Sequence, residues 1–469
     1  MYIAGLDIGT SGSKITVYDE KGNFVENHYM PYDSIHKDGC HEIDANLIAD
    51  AIKTVISETE HIPEALGITS FGESFVLVDE DGNALTNAFL YTDTRADISD
   101  FDSEETKRIA GCPPNGMYSL PKLVWIKNNM PCVYAKAKHI LLMQDYAGFL
   151  LSGNACIDYS LAARTMGFDV KERKWSKVLF DKAGIDMSLM SEPVQCGTVI
   201  GVSDKFGLKN TKIVIGCHDQ VASAIGAGAL DAGLAVDGSG SVECVTPIFD
   251  GIPDDLVLCD MGYPFVPFLD GKFVSYSLIF NGGTALKWYR DNFAKGIEYK
   301  ELDGLVSDKP TGILVLPHFS GSATPYMDSD SKAVFAGVTL EHTSADFYKA
   351  VMEGVAYEMR INAETLAKYG IKPEKLLATG GGSKSPVWLQ IKADVLNTPI
   401  TVVDAPEVGT MGTIMLTAVA VGAYSSLEDA MKNFVRYGKT YYPNEEMHNA
   451  YMVHYEKYKK LYEASKEFR

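Results

Sequence analysis

The sequence has no long apolar run, no cluster of basic residues and no paired cysteine motif, and each lack argues against a class of function. Without an apolar stretch approaching the roughly 20 residues that cross a bilayer, no membrane span is expected. The start, Met1-Tyr2-Ile3-Ala4-Gly5, carries no basic region followed by an apolar stretch and reads directly as a strand, so a cytoplasmic protein is expected. Lysine and arginine number 42 against 62 aspartates and glutamates, and the resulting net charge of -20 repels a phosphate backbone. With no basic stripe to offset that field, nucleic acid is not an expected partner. The eight cysteines are scattered, with neither Cys-x-x-Cys nor zinc-ligand spacing, and read as reduced, mostly buried thiols. Pro/Ser-rich linkers and low-complexity tracts are missing as well.

What is present is an ordinary globular composition, 46% hydrophobic and 22% charged, over 469 residues. That length exceeds one hydrophobic core, so two or more packed domains are expected, with a cleft between them as the natural ligand site. Strand-like runs such as Ala65 to Ser70 and Lys212 to Gly216 alternate with helix-like segments such as Leu120 to Asn128 and Asp219 to Leu230, which predicts α/β layering. Later, Ile313 to Pro317 reads as a strand, Ser344 to Tyr369 as a long helix, Lys375 to Thr379 as a strand, and the segment from Asn444 onward as helix. One pattern occurs twice. Tyr2 to Gly5, the turn Asp7-Ile8-Gly9-Thr10-Ser11-Gly12-Ser13 and the alternating Lys14 to Asp19 read as a β-meander. Gly233 to Val236, the turn Asp237-Gly238-Ser239-Gly240-Ser241 and Val242 to Ile248 repeat it. Two related halves are expected, divided near residue 225 into 1–225 and 226–469.

The small-residue turns are candidate phosphate holders. Glycine permits close approach of the backbone to phosphate oxygens, Thr10 and Ser11 add hydroxyls, Lys14 adds charge, and Asp7 can hold a hydrated Mg²⁺. Taken alone, the first motif reads more readily as an ordinary hairpin turn rich in small residues. Two such turns from related halves, with Gly238, Ser239 and Gly240 in the second, make a grip on one triphosphate the more specific reading. Gly380-Gly381-Gly382-Ser383 follows a strand and precedes a helix, a context for nucleotide approach or simply for a tight connection. It has neither Walker A nor Rossmann spacing. For the general base, Asp219 ends the strand-like Ile213-Val214-Ile215-Gly216-Cys217-His218, where a carboxylate serves either as catalyst or as helix N-cap. His218 is read as a packing histidine with no chemistry.

At this point the residues resemble the FGGY carbohydrate kinases over nearly the whole chain. Met117-Tyr118-Ser119-Leu120-Pro121-Lys122-Leu123-Val124-Trp125 is similar to the first family signature with its Lys-x-x-Trp core. Ala333-Val334-Phe335-Ala336-Gly337-Val338, followed by Asp346-Phe347 and Ala350-Val351-Met352-Glu353, is similar to the second. The resemblance implies a two-lobed actin/hexokinase-like fold, a duplicated ribonuclease-H-like α/β architecture with sugar in the interlobe cleft and ATP chiefly on the second lobe. It implies ATP and Mg²⁺ as cofactors, Asp7 as the Mg²⁺-associated acid, Thr10 as a phosphate-side hydroxyl and Asp219 as the base. Gly238, Ser239 and Gly240 would contact phosphate. Gly283 and Lys287, in Asn281-Gly282-Gly283 and Lys287-Trp288, would lie near ATP, and Gly380 and Gly381 would contact adenosine. Family members are often dimers, so a homodimer is an expectation without a located interface.

The substrate pattern is mixed. Ser70-Phe71-Gly72-Glu73 stands where xylulokinases commonly carry Gln-Met-His-Gly, while Glu73 and Gln220 resemble the sugar site of glycerol kinases. Tyr91-Thr92-Asp93-Thr94-Arg95 resembles the Trp-x-Asp-x-Arg of pentulose kinases, and His218-Asp219 is similar to deoxyhexulose kinases. A small sugar, foremost a ketose such as a pentulose, is expected among Glu73, Asp93, Asp219 and Gln220, with glycerol or another polyol, gluconate or a deoxyhexulose as alternatives. For Glu73, Asp93 and Arg95 a solvated loop or an internal salt bridge stays open. An actin-fold ATPase acting as a clamp is the alternative of another class.

Overall fold

The structure is a computed structural model and describes residues 1–101, 103–405 and 407–468. It divides into two compact units. The first comprises Met1–Leu230, Phe265–Gly271 and Ala405–Val435, and the second Asp231–Pro264, Lys272–Asp404 and Arg436–Arg469.

In the first unit, six strands form one sheet: β1 (Tyr2–Ile8), β2 (Gly12–Asp19), β3 (Phe24–Pro31), β4 (Ala65–Ser70), β5 (Val199–Ser203) and β6 (Thr211–His218), in the order β5-β6-β4-β1-β2-β3. The hairpin β1-β2 is antiparallel with Asp7 opposite Lys14. β4 runs parallel to β1, and β6 parallel to β4. Strands β1, β4 and β6 are apolar almost throughout because both faces of the sheet centre are covered. On one face lies α1 (Ala45–Ser57), capped by Asp44, whose Ile48, Ile52, Val55 and Ile56 enter the same core as Ile15 and Val17.

Glycine rows admit the opposite cover. A Cβ at Gly5 would stand 2.9 Å from the carbonyl oxygen of Thr410, and one at Gly67 only 2.1 Å from Thr417 Oγ1. The helix Val408–Ala420 therefore lies directly on β1 and β4. It also packs backbone to backbone against a helix that follows β6 at residues 219–226. Cβ atoms at Gly226 and Gly412 would meet the carbonyls of Val408 and Ala222 at 1.9 and 2.0 Å.

The second unit repeats this topology. Six strands of its larger sheet, β7 (Leu234–Ser239), β8 (Glu243–Asp250), β9 (Lys272–Val274), β10 (Lys375–Thr379), β11 (Ile400–Val403) and β12 (Tyr437–Tyr441), are ordered β12-β11-β10-β7-β8-β9. Again a hairpin is antiparallel, the next two strands are parallel to it in turn, and the far edge strand is antiparallel. The duplication read from two turns is thus a duplication of whole sheets. The predicted long helix spans Ser344–Ala367, and a capping box starts it: Thr343 accepts from the backbone at Asp346, and Asp346 accepts from the backbone at Thr343. Among the described residues no helix is long and apolar enough to cross a membrane.

Candidate active site

Strand β6 delivers His218 and Asp219 to the start of α2 (Asp219–Gly226). The N-cap is His218, so Asp219 is the first helical residue, and its Oδ1 accepts from the neighbouring Gln220 N–H at 2.6 Å. The N-cap role open to Asp219 in the sequence is therefore taken by its neighbour. Its side chain retains 40% of its accessible surface. Burial nonetheless pushes Asp219 up to about 7, with the Asp7 carboxylate adding to the shift, Gln220 N–H opposing it and Glu73 adding further. A carboxylate surrounded by protein but reached by solvent, half-protonated near neutrality, has the properties required of a general base.

His218 contributes more than packing. Its Nε2 lies 3.2 Å from Asp219 Oδ1. Burial, with Arg164 adding, holds its pKa well below the usual histidine value, so the ring is neutral at pH 7. A neutral imidazole whose Nε2 carries the proton orients the Asp219 carboxylate without neutralising it.

Asp7 is the penultimate residue of β1, beside the hairpin tip. Thr10 and Ser11 are exposed there, and the Gly9 N–H donates to the Gly12 carbonyl at 2.9 Å. The Asp7 carboxylate retains 28% of its accessible surface. Burial raises its pKa to about 6, opposed by Lys14 and reinforced by Glu407. Lys14 Nζ lies 4.0 Å from Asp7 and donates to Glu407 Oε2 at 2.6 Å. The ammonium that the sequence offered to phosphate is thus paired with a carboxylate from the turn before the helix Val408–Ala420.

Glu73, Asp93 and Arg95 resolve into internal ion pairs. Arg164 Nε donates to Glu73 Oε1 at 2.6 Å and its Nη2 donates to the same oxygen, while the guanidinium lies 5.1 Å from the Tyr118 ring centroid. Glu73 itself adopts φ of +64°, uncommon for a non-glycine residue, and both partners are buried. Asp93 is fully buried. Its carboxylate accepts from the backbone of His41 and Arg95 and from the Arg95 guanidinium, which also reaches Glu42. Burial alone would raise Asp93, but these hydrogen bonds outweigh it and hold its pKa below the ordinary value. Of the two roles open to Asp93 in the sequence, the internal ion pair is the one formed here, its carboxylate facing Arg95 and backbone amides. The Lys-x-x-Trp signature holds this loop. Lys122 Nζ donates to the carbonyls of Leu90 and Met117 at 2.7 and 2.6 Å, and the Trp125 ring lies 4.5 Å from the Arg95 guanidinium.

In the second unit the tip Gly240-Ser241-Val242 is exposed, whereas Ser239 is buried. Ser239 Oγ donates to Glu243 Oε2 at 2.7 Å, so that hydroxyl is engaged within the protein. The Gly240 N–H donates to Val242 O at 3.0 Å and the Gly283 N–H to Gly240 O at 2.9 Å. The helix α3 (Gly283–Phe293) therefore starts docked on the tip. A Cβ at Gly283 would meet Gly240 O at 2.5 Å, so this glycine is needed for close approach of its own chain. Lys287 is exposed and paired with Asp291 one turn on. Gly380, at φ of +80°, and Gly381 are exposed at the end of β10.

Arg164 and Lys392 are the residues the sequence reading passed over. Each is a single cation inside an apolar stretch, Ala162-Ala163-Arg164-Thr165-Met166 and Leu389-Gln390-Ile391-Lys392-Ala393, and that is the signal that marks a buried, partnered charge.

Residues 2–226 match the N-terminal domain, and residues 269–421 the C-terminal domain, of the FGGY family of carbohydrate kinases. The chain belongs to that family and is a phosphotransferase. It is 27% identical to a xylulose kinase from Lactococcus lactis subsp. lactis (strain IL1403), covering 99% of this chain and 97% of that protein. The structure of a ligand-bound xylulose kinase from Lactobacillus acidophilus superposes with a TM-score of 0.91 at 26% identity, covering 99% of this chain and 98% of that one. A gluconate kinase from the same organism gives 0.90 at 26% identity, again covering 99% and 98%. These matches bear out the two-domain actin/hexokinase-like fold. Family membership implies a small sugar as acceptor, with ATP and a divalent metal.

Proposed function

We propose that this kinase transfers the γ-phosphoryl group of ATP to a hydroxyl of a small neutral ketose, foremost a pentulose such as xylulose. The observation that carries the reading is Asp219: a solvent-reached carboxylate at a strand-to-helix junction, pushed up to about 7 and held by a neutral histidine. In this reading Asp219 accepts the proton of the attacking hydroxyl while Gln220 and the Glu73–Arg164 pair shape the sugar side. The first unit binds sugar and the second binds ATP, through Gly238, Gly240 and Ser241 at one turn and Gly380 and Gly381 at the other.

The residues present fit a magnesium ion of the usual nucleotide-bound kind. Among the described residues no group of three or more His, Cys, Asp or Glu forms a metal cage. A single partly accessible carboxylate, Asp7, beside the exposed hydroxyls of Thr10 and Ser11 suits a cation that keeps water and phosphate as its other ligands. Bound there, Mg²⁺ would supply charge neutralisation to the phosphates.

Charge favours a neutral acceptor over an aldonate. Asp7 and Glu73 both raise the Asp219 pKa, and the guanidinium of Arg164 is already engaged by Glu73. A substrate carboxylate would add a like charge to this set. The test is a coupled ADP-release assay across pentuloses, deoxyhexuloses, gluconate, glycerol and tetritols. Turnover highest on a neutral ketose supports the reading. Gluconate as the best substrate overturns the charge argument, and ATPase activity unaffected by every acceptor overturns kinase function in favour of a nucleotide clamp. Sedimentation of the purified protein tests whether it is the homodimer that the family's habit suggests.

A further inference from the structure

Beneath the exposed tip Gly240–Val242 lies a group of charges that the phosphotransfer reading leaves unexplained. Lys392, on the helix α4 (Pro386–Leu396), is fully buried, as are Asp237 and Ser239 on β7 and Glu243 on β8. Lys392 Nζ donates to Asp237 Oδ2 at 2.9 Å, to Ser239 Oγ at 3.2 Å and to Glu243 Oε1. Ser239 Oγ in turn donates to Glu243 Oε2 at 2.7 Å, and the ammonium stands 4.4 Å from the Trp388 ring centroid. All three N–H groups of one lysine thus tie together both strands of the hairpin and the helix that follows the Gly380–Gly382 turn.

Buried ion pairs of this kind seldom stabilise a protein relative to a well-packed apolar cluster, because desolvation offsets the attraction. Their geometry is the more informative feature. A Cβ at Gly380 would stand 2.6 Å from Ser239 O, and one at Gly382 only 2.0 Å from Ser239 Oγ. The Gly380–Gly382 turn therefore rests on Ser239, and the direction of that hydroxyl is set by Lys392 and Glu243. We propose that Lys392 is a positioning residue that fixes the two glycine turns, Gly238–Gly240 and Gly380–Gly382, in the mutual arrangement that holds the nucleotide.

The charges are consistent with a static clamp. Burial, with Asp237 adding and Lys392 opposing, pushes the Glu243 carboxyl above its usual range. Burial pulls the Lys392 pKa down, but Asp237 and Glu243 outweigh it and raise it, so the lysine stays an ammonium.

The inference rests on the reading that the Gly238–Ser241 turn contacts phosphate, and four variants separate the two. In Lys392→Met/Asp237→Asn the ammonium and its Asp237 partner leave together, which limits the charge left unpaired. Binding of a non-hydrolysable ATP analogue with Mg²⁺, followed by calorimetry, is expected to weaken about tenfold or more, with the KM for sugar within about twofold and little change in Tm. Ser239→Ala, a smaller change, is expected to weaken nucleotide about threefold. Glu243→Gln keeps a hydrogen-bonding side chain of the same size and is expected to retain wild-type affinity. Unchanged nucleotide affinity in the folded double variant, or in Ser239→Ala should the double variant not fold, overturns the role of Lys392. Gly240→Asp is the control, since a Cβ there meets nothing nearer than Val242 O at 3.8 Å. If Gly240→Asp leaves nucleotide affinity intact, the phosphate reading of the turn falls and the inference with it. If Gly240→Asp weakens binding and the Lys392 variant does not, only the positioning role falls.

Discussion

Asp219→Asn makes the sharpest test, because it should move activity and stability in opposite directions over the same pH range. With a pKa of about 7, the wild-type carboxylate is about 10% ionised at pH 6 and about 90% at pH 8, so turnover should rise about ninefold between them. The asparagine variant should lose this limb and about 10²- to 10⁴-fold of turnover, with nucleotide affinity nearly unchanged. Stability runs the other way. A carboxyl whose folded pKa exceeds its unfolded value binds more protons in the native state, so stability falls as pH rises through the interval. The penalty is absent below the ordinary Asp pKa of 3.8, grows between there and about 7, and is complete above it. Because the side chain is 40% accessible, solvent screening reduces that penalty, and the sign is the useful quantity. The assays are kcat against pH at saturating substrates and Tm at pH 4 and pH 8. The variant should gain Tm relative to wild type at pH 8 and not at pH 4. A flat wild-type profile between pH 6 and 8, or variant turnover within tenfold of wild type, refutes the assignment.

Other expectations concern the scaffold. Arg164→Met strands the buried Glu73 carboxylate and should destabilise by about 3–5 kcal/mol in denaturant titration. Adding Glu73→Gln should restore most of that loss, and a single variant as stable as wild type contradicts the pairing. Gly412→Ala drives a methyl group against the Ala222 carbonyl and should lose about 1–3 kcal/mol. Gly409→Ala, whose Cβ meets Ser223 Oγ at 3.4 Å, should be close to neutral in the same thermal melt. Thr343→Ala removes half of a capping box and should lose about 1 kcal/mol at neutral pH. Asp346 is held below its ordinary pKa chiefly by the Thr343 N–H, so the contribution of that half of the box fades as pH falls through the carboxylate range.

Local patterns in the sequence carried the strands well. Lys375–Thr379 begins and ends where its apolar run does, and Ala65–Ser70 likewise. The predicted helix from Asp219 to Leu230 stops at Gly226, because the segment turns away once the close contact with the helix Val408–Ala420 has been made. That contact joins residues almost 200 positions apart, and no local pattern reports it. The positions of Asp7 beside a hairpin and of Asp219 at a strand-to-helix junction were legible, because a chain reversal shows in residue type. The site was illegible where the deciding fact is a partner elsewhere in sequence. Asp93 resembles a ligand-facing acid until Arg95, Glu42 and the His41 amide surround it. Ser239 looks like a phosphate hydroxyl until Glu243 and Lys392 claim it.

The helix Val408–Ala420 belongs to the first unit although it is encoded after most of the second. A ribosome must therefore deliver about nine-tenths of the polypeptide before the glycine-lined face of β1 and β4 acquires its lid. A gene fragment ending at residue 230 would leave that face open to water or to aggregation, so the amino-terminal half cannot be harvested as an independent module by truncation alone. A fragment in which the 405–435 segment is re-joined to residue 230 by a flexible tether would be the smallest piece with a complete sheet cover.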